Sequence, residues 1–129
     1  MGEAVPQAGW RVLIIEDDPM NRELVTAILE PDGYTVLSAE TAPAGIELAI
    51  SQQPDIILTD VQLPGLSGYE ATRQLKADPR TAHIPIVALT AQAMRGEDGR
   101  ARAAGCDVYL PKPLDAPILR EVLARILGT

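Results

Sequence analysis

The chain is poor in aromatic side chains, cysteine and positive charge. It contains no Phe, one Trp and three Tyr, and its net charge at pH 7 is −7. Proteins that bind single-stranded nucleic acid use aromatic faces, and those that bind duplexes use Lys and Arg contacts to phosphates. Because the sequence has neither an aromatic platform nor a basic stripe, we expect no direct nucleic-acid partner.

Long apolar runs are also lacking. Residues 1–9 have neither a basic start nor an apolar run, so they are not a signal peptide, and no stretch approaches the length that crosses a bilayer. The single Cys106 cannot form an internal disulfide, which is typical of the reducing cytoplasm, and we expect it to be a small buried residue. We therefore predict a cytoplasmic protein with no membrane partner, consisting of a flexible N-terminal tail (1–9) and one folded domain (10–129).

Aliphatic residues are abundant, and hydrophobic residues make up 47% of the 129 positions, enough for one core. Short apolar runs alternate with segments of helical periodicity, which predicts βα units around a parallel sheet. The predicted strands are about Arg11–Ile15, Thr35–Ser38, Ile56–Thr59, Pro85–Leu89 and Val108–Leu110. The first predicted helix begins near Pro19, and the others cover about Ala42–Gln52, Tyr69–Lys76, Gly96–Ala104 and Ala116–Leu127. Right-handed crossovers make this a doubly wound α/β fold, whose ligands bind beyond the carboxyl ends of the strands.

Two of the predicted helices carry an apolar stripe that we expect to face the sheet. The stripe of the first helix is Leu24, Val25, Ile28 and Leu29, and that of the last helix is Ile118, Val122 and Ile126.

Polar side chains follow the apolar runs at the ends of four strands. The first run leads into Glu16 and Asp17, the third into Asp60, the fourth into Thr90 and the fifth into Lys112. In a parallel sheet these ends open on one edge, so the five side chains should converge. Two carboxylates about 4 Å apart repel by about 4 kcal/mol at an effective dielectric of about 20, so the cluster needs a cation or a proton. Hard oxygen ligands of this kind select Mg²⁺ or Mn²⁺.

Asp60 is the best candidate nucleophile because it ends the most apolar strand and an aspartate can form a covalent acyl phosphate. Lys112 would supply a charge and Thr90 a hydroxyl for phosphoryl oxygens. Pro111 and Pro113 stiffen the backbone around Lys112, which favours this role over that of a solvated surface lysine, and an X-Pro bond here is a candidate for the cis form.

Two nearby residues are assigned other roles. Asp18 precedes Pro19, a good first helical residue, so we favour helix capping over metal binding for Asp18. His83 lies in a polar turn, and we interpret it as a surface residue and not as a phosphodonor.

Four segments resemble the response-regulator receiver domains of the CheY-like superfamily, and the match covers about residues 10–127. The segments are Ile14-Ile15-Glu16-Asp17-Asp18, Leu58-Thr59-Asp60-Val61-Gln62-Leu63-Pro64-Gly65, Val87-Ala88-Leu89-Thr90-Ala91 and Tyr109-Leu110-Pro111-Lys112-Pro113. The resemblance implies a flavodoxin/CheY-like (βα)5 sheet of strand order 2-1-3-4-5. The sequence is similar to that of single-domain, DivK-like regulators around Gln62-Leu63-Pro64 and Thr90-Ala91-Gln92-Ala93-Met94.

The resemblance also implies the chemistry of the site. Asp60 would accept a phosphoryl group from a histidine kinase or a histidine phosphotransferase. Mg²⁺ would be held by Glu16, Asp17, Asp60 and the backbone carbonyl of Gln62, with Asp17 as a direct ligand and Glu16 acting through water. One departure is the Glu-Asp pair, where the family commonly has Asp-Asp, and the longer Glu16 is expected to alter the affinity for Mg²⁺ without abolishing it.

Further residues are implied to bind phosphate or to switch. Thr90 and Lys112 would contact the phosphoryl oxygens, and Tyr109 would rotate inward when Thr90 moves. A half-buried structural tyrosine is an equally good interpretation of Tyr109. Gln62 and Gln92, two positions after the acceptor and the threonine, are expected to tune the lifetime of the phosphorylated form, in a direction that the sequence leaves open.

The expected output is a protein contact. The face built from the predicted fourth helix, the fifth strand and the fifth helix would bind a downstream protein, and glycines at 96 and 99 make that fourth helix the least stable. We expect a monomer or a weak homodimer. The chain ends just after the predicted fifth helix, so we expect no output domain within it, and a free-standing regulator and the receiver of a larger kinase both stay open.

On this interpretation the protein is not an enzyme that turns over a metabolite, although it catalyses its own phosphorylation and dephosphorylation. One alternative is a pseudo-receiver that binds partners without phosphorylation. A second is an aspartate-nucleophile phosphatase, which is disfavoured because Gln62 stands where that class has a second Asp. A third is a flavin-binding module, which would need a Ser/Thr-Gly phosphate loop after the first strand.

Overall fold

The computed structural model describes residues 9–63, 65–90 and 104–128. Five strands alternate with helices along the chain. The strands are β1 (Arg11–Ile15), β2 (Thr35–Ala39), β3 (Ile56–Asp60), β4 (Ile86–Thr90) and β5 (Val108–Pro111). The helices are α1 (Pro19–Leu29), α2 (Ala42–Gln52), α3 (Gly68–Ala77) and the C-terminal helix (Ala116–Leu127), with a short 3-10 helix at Glu30–Asp32.

The five strands form one parallel sheet in the order β2-β1-β3-β4-β5. The predicted α/β class and strand order are therefore confirmed. The predicted helix at about Gly96–Ala104 falls, apart from its last residue, outside the described residues, and so do Gln92 and residues 1–8 of the predicted tail. Within the described ranges, no helix combines the length and the apolar character needed to cross a bilayer.

Four of the strands end one residue later than the apolar runs predicted. β3 includes Asp60 and β4 includes Thr90, so both residues belong to the hydrogen-bonded ladder. The ladder even continues past these ends, because the Val61 N–H donates to the Leu89 carbonyl at 3.1 Å and the Lys112 N–H to the Thr90 carbonyl at 2.8 Å. The polar residues at this edge are thus positioned by regular backbone pairing.

Apolar side chains cover both faces of the sheet. Alternate residues of β1 point to opposite faces, so Leu13 and Ile15 pack with α2 and α3, whereas Val12 and Ile14 pack with α1 and the C-terminal helix. β3 and β4 are buried along their whole length, as expected of central strands covered on both sides. This double cover leaves the carboxyl edge of the sheet as the place where polar side chains collect.

The predicted helix stripes were partly wrong. Leu24 of α1 is 41% exposed and Ile118 of the C-terminal helix is 45% exposed, whereas Leu119 and Leu123 are fully buried. Apolar residues on these helices span more than one adjacent row, and sequence periodicity alone cannot tell which row the sheet will cover. The side that packs is decided by the rotation of each helix on the sheet.

The predicted helix cap at Asp18 is confirmed, and a second helix, α2, is capped by Thr41. The carboxylate of Asp18 accepts from the Met20 N–H at 2.9 Å, and the hydroxyl of Thr41 accepts from the Ala44 N–H at 3.2 Å. A side-chain oxygen at this position satisfies one of the free N–H groups of a first helical turn. Asp18 therefore turns the chain from β1 into α1 immediately after the acid pair.

Candidate functional site

Three carboxylates lie together at the carboxyl edge of the sheet. Ile15 of β1 pairs with Thr59 of β3, so the residues that follow them, Glu16 and Asp60, are neighbours across the strands. Carboxylate oxygens of Glu16, Asp17 and Asp60 all lie within 4.8 Å of one another. Glu16 is 1% exposed and Asp60 is 5% exposed, whereas Asp17 faces solvent. The cluster is therefore open on one side and buried on the other.

Lys112 reaches this cluster from the end of β5. Its Nζ donates to Asp60 Oδ2 at 2.7 Å and to Glu16 Oε1 at 3.1 Å. Thr90 of β4 pairs with Pro111, which places Lys112 just beyond the ladder, and the following Lys112–Pro113 peptide bond is cis, the form that the sequence made a candidate. The two buried carboxylates are thus bridged by one ammonium group.

The charges in this pocket perturb one another. Burial raises the pKa of Glu16 above its usual value, and the nearby charge of Asp60 acts in the same direction, against the hydrogen bonds from the Asp18 N–H and Lys112. For Lys112, burial alone would lower the pKa, but its hydrogen bonds to Asp60 and Glu16 outweigh burial, and the pKa is raised. Lys112 therefore stays protonated, and the carboxylate of Glu16 binds a proton more readily than that of an ordinary glutamate.

The loop after β3 holds Asp60 from the other side. The Gln62 N–H donates to Asp60 Oδ1 at 2.9 Å. Gly68, the first residue of α3, lies so close to the strand that a Cβ atom there would be 2.0 Å from the carbonyl oxygen of Asp60 and 2.7 Å from Cα of Val61. Only glycine fits this approach. Sequence reasoning missed this role, and the one signal for it was a glycine just after Ser67, whose hydroxyl caps the helix by accepting from the Glu70 N–H.

Three of the remaining predicted residues, Thr90, Tyr109 and Gln62, lie within the described residues. Thr90 is 2% exposed at the end of β4, next to the strand that carries Asp60. Tyr109 lies opposite Ala88 and is half-buried, which agrees with either interpretation of its ring. The side chain of Gln62 is exposed, and the part its carbonyl plays in metal binding stays a prediction. Gln92, the other residue predicted to tune the lifetime, lies outside the described residues.

Two residues away from the centre behave as expected. His83 is exposed, and Cys106 is buried with its Sγ 3.6 Å from the hydroxyl of Thr72. Burial raises the pKa of the Cys106 thiol, so it is a poor nucleophile at neutral pH.

The donor set at the sheet edge suits a hard divalent cation. Carboxylate oxygens are the ligands that Mg²⁺ prefers, and the exposed side of the cluster leaves room for the waters that Mg²⁺ retains. Asp60 would keep one oxygen within reach of an incoming phosphorus atom, and Lys112 could neutralise charge on a phosphoryl group. The residues present therefore fit a metal-assisted phosphoryl acceptor.

Known proteins match this chain over most of its length. Residues 12–124 match the model of the response regulator receiver domain. The polar-differentiation response regulator DivK of Brucella ovis is 39% identical over 117 residues, which cover 91% of this chain and 95% of that protein. The DivK protein of Brucella melitensis matches to the same extent.

Solved structures share the fold. The receiver domain of the sensor histidine kinase PA1611 from Pseudomonas aeruginosa, which has a magnesium ion coordinated in its active site cleft, is 37% identical with a TM-score of 0.87, and the match covers 95% of this chain and all of that one. The chemotaxis response regulator CheY4 of Vibrio cholerae is 26% identical with a TM-score of 0.84, over 90% of this chain and 97% of that one. With its strand order, its acidic strand ends and a family match over nearly its whole length, the chain belongs to the family of response regulator receiver domains.

Proposed function

We propose that the protein is a phosphorylation switch of two-component signalling, in which Asp60 accepts a phosphoryl group from a histidine kinase or a histidine phosphotransferase. The observation that carries the proposal is the contact of Lys112 with both Asp60 and Glu16, inside a cluster that also includes Asp17. A lysine and three carboxylates at the end of parallel strands are what an aspartyl phosphoryl acceptor needs, because this transfer depends on positioning and charge neutralisation.

The transfer exchanges one bond for another. A carboxylate oxygen of Asp60 attacks the phosphorus of a phosphohistidine, the new P–O bond forms as the P–N bond breaks, and the imidazole leaves with its electron pair and takes up a proton. Asp17, Asp60, the Gln62 carbonyl and, through water, Glu16 would hold Mg²⁺, which would supply positive charge to neutralise the phosphoryl oxygens. Lys112 then moves its N–H donor from Asp60 Oδ2 to a phosphoryl oxygen.

The phosphorylated form differs from the free form in charge. A phosphoryl group carries about 1.5 to 2 negative charges at neutral pH. Thr90 and Lys112 would be drawn toward it from β4 and β5, and Tyr109 lies on the second of these strands. A shift there changes the face that includes β5 and the C-terminal helix, which we propose as the contact surface for a downstream protein.

According to this proposal, the protein carries a signal and turns over no metabolite. Its own side chains speed the gain and loss of the phosphoryl group, and we expect Gln62, which is exposed two residues after Asp60, to affect the approach of water. We expect it to work in the cytoplasm, where the kinases of such systems present their phosphohistidine.

Asp60→Asn tests the proposal. The wild type, incubated with Mg²⁺ and acetyl phosphate or phosphoramidate, should gain the mass of one phosphoryl group, and chelation of the metal should prevent the gain. Asp60→Asn should remain folded and gain nothing. The matched control is Asp115→Asn, since Asp115 caps the C-terminal helix by accepting from the Ile118 N–H at 3.1 Å and an amide caps almost as well.

Two outcomes would overturn the proposal. Incorporation of phosphate into Asp60→Asn would place the acceptor elsewhere. A folded wild type that neither binds Mg²⁺ nor gains mass would leave a pseudo-receiver, and its function would then have to be sought in phosphorylation-independent contacts.

A further inference from the structure

Arg22 of α1 contacts the backbone between the adjacent acidic residues Glu16 and Asp17. Its Nη1 donates to the backbone carbonyl of Glu16 at 2.8 Å, and its Nη2 lies 3.7 Å from a carboxylate oxygen of Glu40. The side chain of Arg22 is 18% exposed, whereas that of Glu40 is 74% exposed. An arginine in this position is held mainly by a backbone oxygen of the β1–α1 connection, because the contact with Glu40 is long and screened by solvent.

The carbonyl that Arg22 holds is the one between the two acids. A peptide unit is planar, so fixing the direction of the Glu16 carbonyl also fixes the position of the N and Cα atoms of Asp17. On the other side of the same residue, the Glu16 N–H donates to the Ala39 carbonyl at 2.9 Å. Both backbone polar groups of Glu16, the N–H and the carbonyl, are therefore hydrogen-bonded. These bonds fix the direction in which the backbone of Asp17 follows β1.

Asp17 has fewer constraints of its own. It is exposed, while Glu16 beside it is buried and its carboxylate accepts hydrogen bonds from Lys112, the Asp18 N–H and, at 3.4 Å, the amide of Asn21. A metal ligand on an exposed side chain is pre-organised only if its backbone is held. Residues that orient ligands in this way typically contribute about 10-fold to 100-fold to metal affinity.

We propose that Arg22 is a positioning residue for the metal site: by holding the Glu16 carbonyl it aims the carboxylate of Asp17 at the cation. This inference rests on the proposed function, because it assumes that the acid cluster binds Mg²⁺. It concerns a residue outside the set of carboxylates, threonine and lysine that contact the phosphoryl group or the metal.

The charge of Arg22 makes the proposal easy to contradict. A guanidinium near a divalent cation repels it, so removal of the charge alone would tighten Mg²⁺ binding. Loss of positioning would weaken binding. The two effects have opposite signs, and the sign observed therefore decides between them.

The experiment is a Mg²⁺ titration of the folded protein, by calorimetry and by amide NMR shifts, for the wild type, Arg22→Met and Arg22→Gln. Both variants should bind Mg²⁺ about tenfold more weakly or worse. Arg22→Lys, which keeps the charge and one donor, should recover part of the affinity. Arg120→Met is the matched control, because Arg120 pairs with Asp32 at 3.0 Å, next to the amino ends of the strands, and should leave the affinity unchanged.

Two further readouts separate positioning from general damage. In metal-free protein the amide shifts of Asp17 and Asp18 should move in Arg22→Met while those of the core strands stay in place. At saturating Mg²⁺ the rate of phosphorylation by acetyl phosphate should return to that of the wild type, because Arg22 is not expected to touch the phosphoryl group. A rate that stays low at saturating Mg²⁺ would contradict a role exerted through the metal ligands.

The outcomes distinguish this inference from the proposed function. If the wild type binds Mg²⁺ and either folded neutral variant binds it equally well or more tightly, positioning by Arg22 is overturned and the phosphorylation switch stands. If the wild type binds no Mg²⁺, both fall together. Arg22→Gln retains a polar side chain and is measured beside Arg22→Met so that a folding defect in one variant does not decide the result.

Discussion

Lys112→Met should destabilise the metal-free protein far more than its surface position suggests. The side chain of Lys112 is 21% exposed, but its two partners, Glu16 and Asp60, have side chains that are only 1% and 8% exposed. Removing one partner from a buried ion pair costs about 3–5 kcal/mol, because the charge left behind is uncompensated. Allowing for the exposed fraction of Lys112, we expect a loss of about 2–4 kcal/mol in the free energy of unfolding at neutral pH.

Lys76→Met is the matched control for this prediction. Lys76 is 24% exposed, close to the value for Lys112, and also contacts a carboxylate, that of Asp107 at 3.2 Å. Asp107 is 47% exposed, so water can solvate it once the lysine is gone. The carbonyls of Ala82 and Ile84, to which Lys76 also donates, lose a donor but no charge partner. We expect a loss of about 1 kcal/mol in this variant.

Urea unfolding followed by the fluorescence of Trp10 measures both variants, with and without Mg²⁺. In Lys112→Met the metal replaces the missing positive charge, so Mg²⁺ should restore much of the lost stability, whereas in Lys76→Met it should add no more than it adds to the wild type. A monovalent and a divalent cation about 5 Å apart repel by about 2 kcal/mol even at the dielectric of water, so Mg²⁺ should also bind more tightly to Lys112→Met. Equal losses in the two variants, or weaker Mg²⁺ binding in Lys112→Met, would refute the reasoning.

The remaining predictions concern the backbone, the pH dependence and the helix cap. Gly68→Ala should cost about 1–3 kcal/mol and slow phosphorylation, because its Cβ would displace the carbonyl of Asp60; Gly45→Ala, which meets only a side chain, should slow phosphorylation much less. Because the folded-state pKa of Glu16 is raised above 4.5, its contribution to stability is present below pH 4.5 and is lost as the pH rises through the folded value. The metal-free Glu16→Gln variant should therefore gain stability relative to the wild type from pH 4.5 upward in urea titrations, and a fall would contradict this. Asp18→Ala should lose about 1 kcal/mol and Asp18→Asn much less, and an unchanged Mg²⁺ affinity in Asp18→Asn would confirm that the cap is not a ligand.

The strands, with ends placed to within one residue, and the polar residues at their carboxyl edge were the part of this molecule that the sequence predicted best. A hydrophobic run followed by Asp60 or Thr90 indicates where a strand lies and which residue follows it. Because the crossover helices make all strands run in the same direction, the residue at the end of each run lies at the same carboxyl edge of the sheet. The cap at Asp18 was predicted for a similar reason, since capping depends on residues within one turn. The strand order came from the family resemblance and not from the residues alone.

Contacts over long distances in the sequence were not predictable in this way. A glycine is required at position 68 because a Cβ atom there would collide with the backbone of Asp60 and Val61. The amino acids around Gly68 do not indicate how closely α3 approaches β3. Arg22 lies at helical spacing from the buried Val25 and Leu29, yet its long side chain turns back to the Glu16 carbonyl, six residues earlier in the chain. A flexible side chain has many rotamers, and which one is used depends on partners that only the folded chain supplies.

If the proposed function holds, the charges of the site determine the order in which metal and phosphoryl group bind. With all three carboxylates ionised, Glu16, Asp17 and Asp60 carry three negative charges against one positive charge on Lys112, and such a pocket repels an incoming phosphate. A bound divalent cation removes that excess, which is why metal binding should come before transfer. Phosphorylation of Asp60 would then add negative charge again, and the cation that contacts Asp60 is Lys112, which directly follows Pro111, the β5 residue paired with Thr90. On the proposed function, the phosphoryl group is therefore expected to pull on β5 and so to alter the surface on the side of the sheet far from β2.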